Sequence, residues 1–530
     1  MVSMNSAGAT TDRGFLTRFA GVPVLLILLI VVLLGTALRL SSGELKGEEG
    51  RRAIAASEMI SSGDWLVPTV WGQAYLNKPP GYPWLVAISS QFTGGVNPLA
   101  VRIPAFLAFA GLAVVLFFLG RRWGGVEGGL LTSFFLVASI EMQKKAMIGE
   151  TDMLLTFGIS LYALALWDRD STWKHGVCGS IGLIIAGFAK GPAVLPFVAG
   201  LSLARFIRDG YSHRLLAVSA TPVLVMIVAL LAWYLPLQSR LAGTDVWSHW
   251  QAETTRQRLG ETSIFSGRHL FELVTGGILG FLPASLILLE PRKWLASCQK
   301  NGWGKTAALS TILIPFSIFF LWPEPQPRYL LPLMPIFCSW AGLYFFNQQE
   351  GQSIRIFSLL LRMLLFSGAV YVLYEAWFSN REDLSLATGQ SVGLSVWALV
   401  ALVLVMIPLN RCKIIVHPAM SRIFLIMFSF SVVQLAWIVP LRSTETPAGD
   451  FSNWVEQRVP ESATIWLSVD ENWNELAMLP RSLKWKSMAP PNKMRGWLME
   501  ESNEPAEANG WRLPSGTWVT LKPWSGKGAK

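Results

Sequence analysis

The sequence predicts an all-α, polytopic membrane protein with a small C-terminal α/β domain outside the membrane. Of its 530 residues, 52% are hydrophobic and only 15% are charged, whereas a soluble domain carries about 25% charged residues. Long apolar runs recur along most of the chain, and lipid makes such runs helical because a helix satisfies its own backbone hydrogen bonds. After Asp450 the composition becomes polar and rich in Trp, which predicts the C-terminal domain.

Apolar runs of spanning length predict about thirteen transmembrane helices. They lie near residues 19–40, 98–120, 126–143, 150–167, 175–190, 191–207, 215–237, 270–290, 306–322, 330–346, 357–378, 391–409 and 423–441. The first run is too long for a cleaved signal peptide and is expected to remain. We therefore expect a membrane domain over 1–441, with a first outer loop over 41–97, and a separate C-terminal domain over 442–530.

The distribution of Arg and Lys predicts the orientation of these helices. Most of these residues fall in loops that lie inside if the N-terminus is cytoplasmic, as the positive-inside rule requires. The first loop, the loop over 238–269 and the C-terminal domain then lie outside. The formal net charge of +10 reflects this orientation and contact with anionic headgroups. Membrane lipids are therefore expected partners, and nucleic acid is not.

Local patterns predict the elements outside the bilayer. Apolar residues at helical spacing predict interfacial helices over 50–62 and 79–92, the second of them anchored by Tyr82. Strand-like runs over 464–469 and 517–521 predict the β part of the C-terminal domain. The four cysteines fall in spans or on the inner side, which predicts no disulfide.

Two pairs of charged residues open the first outer loop. Glu48 and Glu49 are adjacent, and Arg51 and Arg52 follow them closely. Adjacent carboxylates at a dry interface can have a raised pKa, bind a divalent cation or act as a general base. The alternative is a solvated helix start, whose acids complement the helix macrodipole.

Two further charged residues begin or precede predicted helices on the outer face. Lys78 precedes two prolines that restrain the backbone, which suits its ammonium to a phosphate; the alternative is snorkelling at the interface. Asp152 opens a span, where an ionisable residue is a functional candidate. The same residue is also good capping chemistry for a helix start.

The last candidates on the outer face lie at breaks between spans. Lys190 lies at a Gly-Pro break, against the charge bias, which indicates an anion-binding role. Arg328 and Tyr329 end a Pro-stiffened loop, where they either bind an anion or anchor the next span. Acids and cations from separate loops thus converge on one face. That pattern suits the displacement of a lipid phosphate while an acceptor hydroxyl is activated, and no nucleotide-binding motif indicates ATP as the energy source.

Five motifs, in order, resemble those of a known group of membrane enzymes. They are EM-x-x-SGDW-x-VP and KPP-x-YPW in the first loop, TDMLLTF at 151–157, AKGP at 189–192 and RYLLPL at 328–333. Over residues 20–340 the chain resembles the bacterial lipid A aminoarabinose transferases and the related dolichyl-phosphate-mannose–protein mannosyltransferases of the GT-C superfamily. Two positions depart from the family pattern. Glu48 stands for the usual Asp, and Asn77 stands where the aminoarabinose branch has Glu.

The resemblance implies a GT-C fold and an inverting glycosyltransferase of the bacterial inner membrane. It would move a sugar from a polyprenyl-phosphate donor to a lipid A-like or other envelope acceptor at the periplasmic face. Glu48 is then the candidate base, Asp152 is the second candidate, and Glu49 completes the catalytic set. The residues expected to bind the donor phosphate are Lys78, Arg51, Lys190, Arg328, Tyr329 and Tyr82. No cofactor is required, although Glu48 and Asp152 could ligate a divalent metal cation.

Two other interpretations remain open. A protein O-mannosyltransferase would use the same residues to modify a protein acceptor. A non-catalytic lipid-phosphate transporter or flippase would carry charged residues deep in its spans and inverted repeats, and the sequence shows neither.

Overall fold

The protein is described from a computed structural model. The structure describes residues 9–41, 45–167, 172–241, 246–251, 267–321 and 326–347, isolated positions between 359 and 434, and parts of 454–524. The predicted spans near 357–378, 391–409 and 423–441 lie outside the continuously described residues. So do residues 252–266 of the loop over 238–269.

The described part of the chain up to residue 347 is almost entirely helical. Its α-helices are α1 (Ala9–Ala37), α2 (Glu49–Ser62), α3 (Gly81–Ser90), α4 (Pro98–Val137), α5 (Ile140–Ala146), α6 (Thr151–Trp167), α7 (Trp173–Lys190), α8 (Leu195–Asp209), α9 (His213–Arg240), α10 (Val246–Gln251), α11 (Gly267–Gly280), α12 (Pro291–Lys300), α13 (Lys305–Phe320) and α14 (Met334–Asn347). Short 3-10 segments lie at Gly191–Val194, Ala284–Leu289 and Pro327–Leu333. A two-stranded hairpin, β1 (Thr69–Val70) and β2 (Gln73–Ala74), joins α2 to α3.

Several of these helices are long and apolar enough to cross a membrane. Four helical stretches among the described residues meet that length and hydropathy, and a bent pair, α12 with α13, raises the number to five. Shorter apolar helices occur at Val22–Ala37, Thr151–Trp167 and Phe271–Gly280. The chain is thus a helical membrane protein, as the sequence predicts.

The longest stretch, α4, is a hairpin of two spans rather than one. Its backbone leaves the helical conformation at Gly125, where φ is 59°, a left-handed value that glycine adopts without a steric penalty. The hydroxyl of Ser133 then donates a hydrogen bond to the carbonyl of Ala113 at 2.7 Å. The two arms therefore run side by side, which agrees with the separate spans predicted at 98–120 and 126–143.

The stretch Trp173–Asp209 also reverses direction, at Lys190. Gly191 has a φ of 56°, and the helix ends there as the sequence predicts. The guanidinium of Arg208 donates to the carbonyl of Trp167 at 2.8 Å, so the end of α8 returns to the C-terminal end of α6. The N-terminal end of α6 and the C-terminal end of α7 are left side by side.

Glycines allow α6 and α7 to pack at close range. A Cβ added at Gly158 would lie 2.3 Å from the carbonyl oxygen of Gly182, and one added at Gly182 would lie 2.5 Å from the carbonyl oxygen of Gly158. Backbones that approach this closely hold two membrane helices by van der Waals contact. The first residues of α6 are thereby fixed beside the last residues of α7.

The span predicted over 270–290 is wrong as a single helix. In the structure α11 ends at Gly280, and a 3-10 segment follows at Ala284–Leu289. Pro283 lies at this break, and proline has no N–H with which to continue an α-helix.

The C-terminal part of the described chain contains a five-stranded mixed sheet. Its strands are β3 (Thr464–Ser468), β4 (Lys484–Lys486), β5 (Gly496–Ser502), β6 (Gly510–Arg512) and β7 (Trp518–Trp524), in the order β4-β3-β5-β7-β6. β3 is parallel to β4 and β5, whereas β7 is antiparallel to β5 and β6. The runs predicted at 464–469 and 517–521 are strands.

Candidate active site

The start of α2 brings one carboxylate and two guanidinium groups together. Glu48 precedes α2, so Arg51 and Arg52 lie three and four residues further on, which is the spacing of neighbours on a helix. Each guanidinium lies 3.5 Å from a carboxylate oxygen of Glu48. Arg52 is almost fully buried, and Glu48 remains 30% exposed. Glu48 is thus the accessible carboxylate of this group.

Arg52 has a second partner, which the sequence did not indicate. Its Nη1 donates a hydrogen bond to the hydroxyl of Tyr75 at 3.0 Å, and its guanidinium lies 6.0 Å from the centre of that ring. Tyr75 follows the β1–β2 hairpin directly, and only 6% of it is exposed. Its position in the folded loop, rather than a sequence motif, gives it this role.

Lys78 reaches the same region because the helix α3, which begins just after its two prolines, packs against the end of α7. A Cβ at Gly81 would lie 2.6 Å from the carbonyl oxygen of Phe188, so α3 begins in direct contact with that helix. Desolvation by burial lowers the pKa of Lys78 to about 7, and the nearby charges of Arg52 and Lys190 contribute. A lysine with such a pKa changes its charge near neutrality.

Asp152 and Lys190 meet across the α6–α7 contact. The ammonium of Lys190 donates to a carboxylate oxygen of Asp152. Both side chains are largely buried, since only 13% of the Lys190 side chain and 5% of the Asp152 side chain is exposed. The ammonium also lies 5.0 Å from the centre of the Tyr329 ring, close enough for a cation–π interaction. Three segments that are distant in sequence therefore meet at one point.

Arg328 approaches the group from the loop before α14. It lies within electrostatic range of both Glu48 and Asp152. Its Nε is buried without a hydrogen-bond partner. Together with Lys78, Arg328 joins the charges of the first loop to those at the ends of α6 and α7.

The surrounding cations control the charge of Glu48. Burial acts to raise the pKa of the Glu48 carboxyl, yet the net result is a pKa below the ordinary value because four cations oppose it. In decreasing order of effect they are Arg52, Lys78, Arg51 and Arg328. Glu48 is therefore an anion at neutral pH.

Two predicted site residues lie outside this group. Glu49 is fully buried, and its carboxylate accepts from Arg102, from the backbone N–H of Lys46 at 2.7 Å and from that of Gly149 at 2.6 Å. The carboxylate is thus occupied by contacts within the fold. Tyr82 is also fully buried, and its hydroxyl donates to the carbonyl of Val101 at 3.0 Å, so it does not face a ligand.

A further ion pair adjoins Asp152. The ammonium of Lys145 contacts the carboxylate of Glu150, and Lys145 also lies within electrostatic range of Asp152. The sequence analysis did not assign Lys145 to the site, because no motif includes it although it lies only a few residues before TDMLLTF.

The balance of charge in the group favours an anionic ligand. Among the described residues, six cations face three carboxylates in this group; the cations are Arg51, Arg52, Lys78, Lys145, Lys190 and Arg328, and the carboxylates are Glu48, Glu150 and Asp152. The surroundings do not fit the divalent cation that Glu48 and Asp152 could ligate, because both carboxylates are already paired with cationic side chains.

Sequence comparison identifies relatives of the expected kind. Residues 77–237 match the family model described as dolichyl-phosphate-mannose-protein mannosyltransferase. The undecaprenyl phosphate-α-4-amino-4-deoxy-L-arabinose arabinosyl transferase of Pseudomonas savastanoi pv. phaseolicola is 26% identical over 344 residues, which are 62% of this chain and 62% of that protein. Its counterpart from Edwardsiella ictaluri is 25% identical over 384 residues, 66% of each protein. The matches span just under two thirds of these relatives, and they confirm the resemblance expected from the sequence.

The fold is shared with a solved membrane protein. The crystal structure of ArnT from Cupriavidus metallidurans bound to undecaprenyl phosphate matches with a TM-score of 0.73 and 17% identity, over 96% of this chain and 99% of that chain. Its apo state gives a TM-score of 0.74 and 18% identity, over the same shares of the two chains. At this identity the likeness establishes the fold, which this chain shares with ArnT.

Proposed function

We propose that the chain is an inverting membrane glycosyltransferase that uses a polyprenyl-phosphate sugar donor. The acceptor is a lipid A-like molecule or another component of the cell envelope, and the reaction takes place at the periplasmic face of a bacterial inner membrane. The named activity of the aminoarabinose transferases supports this proposal, as does a shared fold that binds undecaprenyl phosphate in ArnT. The chemistry of the cationic group supports it independently.

One observation carries the proposal. Lys78 and Arg328 form no ion pair with any residue that the structure describes, yet both lie in electrostatic range of Glu48. Both are partly buried, and removing cations from water without partners is costly, so such groups are retained where a ligand supplies the opposite charge. A phosphate beside an apolar membrane domain fits that requirement.

The cations have distinct roles in this reaction. Lys78, Arg51 and Arg328 bind the donor phosphate, and they stabilise the charge that develops on it as the bond to the sugar breaks. Lys190 is held by Asp152 and by the ring of Tyr329. It therefore adds positive charge at a fixed position. Phosphate departure needs such preorganised charge because the leaving group carries the electron pair of the broken bond.

Of the predicted catalytic carboxylates, Glu48 faces the acceptor. It is 30% exposed, whereas Asp152 is 5% exposed and bonded to Lys190. Glu48 orients the acceptor and takes its proton where that acceptor is a hydroxyl. A carboxylate with a lowered pKa is a weak base, which favours acceptors that are already anionic. Glu49 orders the loop, and Asp152 positions Lys190.

The topology follows from the same proposal. The chain has about thirteen transmembrane helices, with the N-terminus in the cytoplasm. Residues 1–441 form the catalytic membrane domain, and 442–530 form a small periplasmic α/β domain. This arrangement is supported by the hairpins at Gly125 and Lys190, by the five-stranded sheet and by the positions of Arg and Lys.

Sugar transfer in proteoliposomes tests the proposal. The purified chain is reconstituted with undecaprenyl-phosphate-linked sugars, one carrying 4-amino-4-deoxy-L-arabinose and one carrying mannose, and with lipid A as acceptor. We expect labelled lipid A from the wild type, and a loss of at least 100-fold in Lys78→Ala and Asp152→Asn. The control is Lys144→Ala, which removes an exposed outer lysine paired only within α5 and should retain full activity. If Lys78→Ala and Asp152→Asn insert normally and transfer sugar at the wild-type rate, the proposal is wrong.

A protein O-mannosyltransferase is the second candidate, favoured by the family model matched over residues 77–237. The same proteoliposomes, supplied with total envelope protein, distinguish the two. Label that enters protein rather than lipid identifies the second activity. A lipid-phosphate transporter would instead move label across the bilayer without transferring it.

A further inference from the structure

The C-terminal sheet and the first outer loop share one hydrophobic cluster. The loop contributes Ile54, Ala55, Val70, Trp71 and Tyr75, and the C-terminal part contributes Trp454, Val455, Val459, Ile465, Met499, Val519 and Leu521. Met499 and Leu521 are paired in register on β5 and β7. Both are buried, and Met499 is fully so. One face of the sheet thus covers the loop that carries the cations of the site.

The tip of the β1–β2 hairpin is held against this cluster in a strained conformation. Val70 pairs with Gln73, so Trp71 and Gly72 form a two-residue turn, with φ values of 58° and 75°. Positive φ at both positions defines a type I′ turn. A large side chain such as that of Trp71 rarely adopts this conformation. The indole is 7% exposed within the shared cluster, and that burial offsets the strain.

The hairpin is also tied to α2. The hydroxyl of Thr69 donates to the carboxylate of Glu58 at 2.5 Å, and the N–H of Gly72 donates to the same carboxylate at 3.2 Å. The turn is therefore fixed on two sides, by α2 through these bonds and by the C-terminal sheet through Trp71.

Tyr75 connects this packing to the site. Its ring belongs to the shared cluster, whereas its hydroxyl accepts a hydrogen bond from Arg52. Arg52 in turn contacts Glu48 at 3.5 Å and is among the charges that act on Lys78. The shared cluster, Tyr75 and Arg52 therefore connect Met499 on the sheet to Glu48, and Arg52 acts on Lys78 through its charge.

We propose that the C-terminal sheet is a positioning element of the active site: by packing over Trp71 and Tyr75 it fixes Arg52, and through Arg52 it fixes Glu48 and Lys78. This inference rests on the proposed function for its phosphate ligand. Tyr75 is a positioning residue here because it acts through Arg52. Elements packed in this way have two discrete arrangements rather than a continuous range, so loosening the sheet releases the guanidinium.

A double-mutant cycle tests this series of contacts. Met499→Ala removes the contact from the sheet, and Tyr75→Phe removes only the hydroxyl that holds Arg52. We expect Met499→Ala to raise the KM for the undecaprenyl-phosphate donor about fivefold while kcat stays within about twofold, since ground-state positioning is lost. In the Tyr75→Phe background the same substitution should have no further effect.

Two more variants control for damage to the fold. Thr520→Val changes a partly exposed residue of β7 between the two buried ones, Val519 and Leu521, and should leave the KM unchanged. Trp71→Gly acts from the other side of the contact and suits the left-handed turn. It should raise the KM as Met499→Ala does, and it replaces that variant should Met499→Ala fail to fold. An unchanged KM in a folded Trp71→Gly variant overturns the proposal. The proposal is also overturned if Met499→Ala raises the KM by the same factor in the wild-type and Tyr75→Phe backgrounds.

A second measurement does not depend on sugar transfer. Trace acetylation of Lys78, read by mass spectrometry between pH 6 and 10, reports how its charge depends on its neighbours. The wild-type midpoint is expected near 7, and Met499→Ala should move it upward because Arg52 no longer lies beside the ammonium. An unmoved midpoint overturns the positioning role. If the acetylation midpoint of Lys78 moves but the wild-type protein transfers no sugar, the positioning role of the sheet is upheld and the proposed function is wrong.

Discussion

The carboxylate of Glu49 accepts two hydrogen bonds from the guanidinium of Arg102, at 2.9 Å from Nε and 3.1 Å from Nη2, with both side chains at most 5% exposed. The Nη1 of Arg102 donates to the carbonyl of Leu40 at 3.0 Å. The N–H of Gly149 completes the set around the carboxylate. One buried pair therefore joins the end of α1, the start of α2, α4 and the segment before α6.

Removal of Arg102 should destabilise the region where these four elements meet. Arg102→Met leaves the Glu49 carboxylate buried without its counter-charge, and breaking such a pair costs about 3–5 kcal/mol. We expect a markedly lower midpoint of thermal unfolding in detergent. Arg102→Lys keeps the charge but not the geometry of two parallel hydrogen bonds. Its midpoint of thermal unfolding should therefore lie between those of the wild type and Arg102→Met. Arg122→Met replaces an exposed arginine of α4 whose Nη1 donates to the carbonyl of Phe118, and it is the control. An equal loss in Arg102→Met and Arg122→Met would contradict this account.

Donor binding should weaken as the pH rises through about 7. Lys78 has a pKa lowered to about 7, chiefly by burial, so its ammonium is charged below that pH and neutral above it. The attraction for a phosphate is therefore present at low pH and lost at high pH. Measured from pH 6 to 9, the KM for the donor should rise. Lys78→Arg keeps its charge throughout and should remove this dependence; an identical pH profile in that variant would exclude Lys78 as its source.

Neutralising both partners of the Asp152–Lys190 pair should separate folding from activity. Lys190→Met alone leaves the buried Asp152 carboxylate without its partner and should lower the midpoint of thermal unfolding. Lys190→Met combined with Asp152→Asn removes both charges and should restore much of that midpoint. Transfer should stay at least about 100-fold reduced, because the fixed positive charge that stabilises the departing phosphate is absent. Recovery of activity with recovery of stability would show that the pair only supports the fold.

A methyl group far from the charges should also impair transfer. Gly158→Ala places a Cβ 2.3 Å from the carbonyl oxygen of Gly182, so α6 and α7 must separate, at a cost of about 1–3 kcal/mol for overpacking. Asp152 and Lys190 then move apart, and transfer should fall at least about tenfold. The control is Gly176→Ala. Gly176 lies on α7, as Gly182 does, but an added Cβ there meets no neighbour within 4 Å, so this variant should behave as the wild type. Comparison of the two rates in proteoliposomes checks the prediction.

The sequence predicted the elements whose signals are local. Apolar length located α6, α7, α8 and α9, and the Gly-Pro dipeptide located the reversal at Lys190. Alternation located β3 and β7. The short strands β4 and β6, of three residues each, carry too little pattern to be found. Pro283 divided a predicted span because a run of apolar residues does not reveal how a helix is broken.

The site was predictable where motifs mark it and not where packing decides. Lys78, Asp152, Lys190 and Arg328 stand in motifs, and they converge in the structure. Side-chain direction separated Glu48 from its neighbour Glu49, because adjacent residues on a helix point about 100° apart. The contacts of Tyr75 depend on the hairpin and the C-terminal sheet, which are hundreds of positions apart in the chain. No local sequence pattern indicates a contact between segments so far apart.

The meeting of Glu48 with Arg328 has a consequence for biogenesis. About 280 positions separate the two residues in the chain, and at roughly 5–20 residues per second the ribosome needs on the order of 15–55 s to make that stretch. During this interval Glu48 has already been made, whereas Arg328 does not yet exist. For the proposed glycosyltransferase, we therefore expect the donor site to be complete only after the helices near residue 330 are inserted.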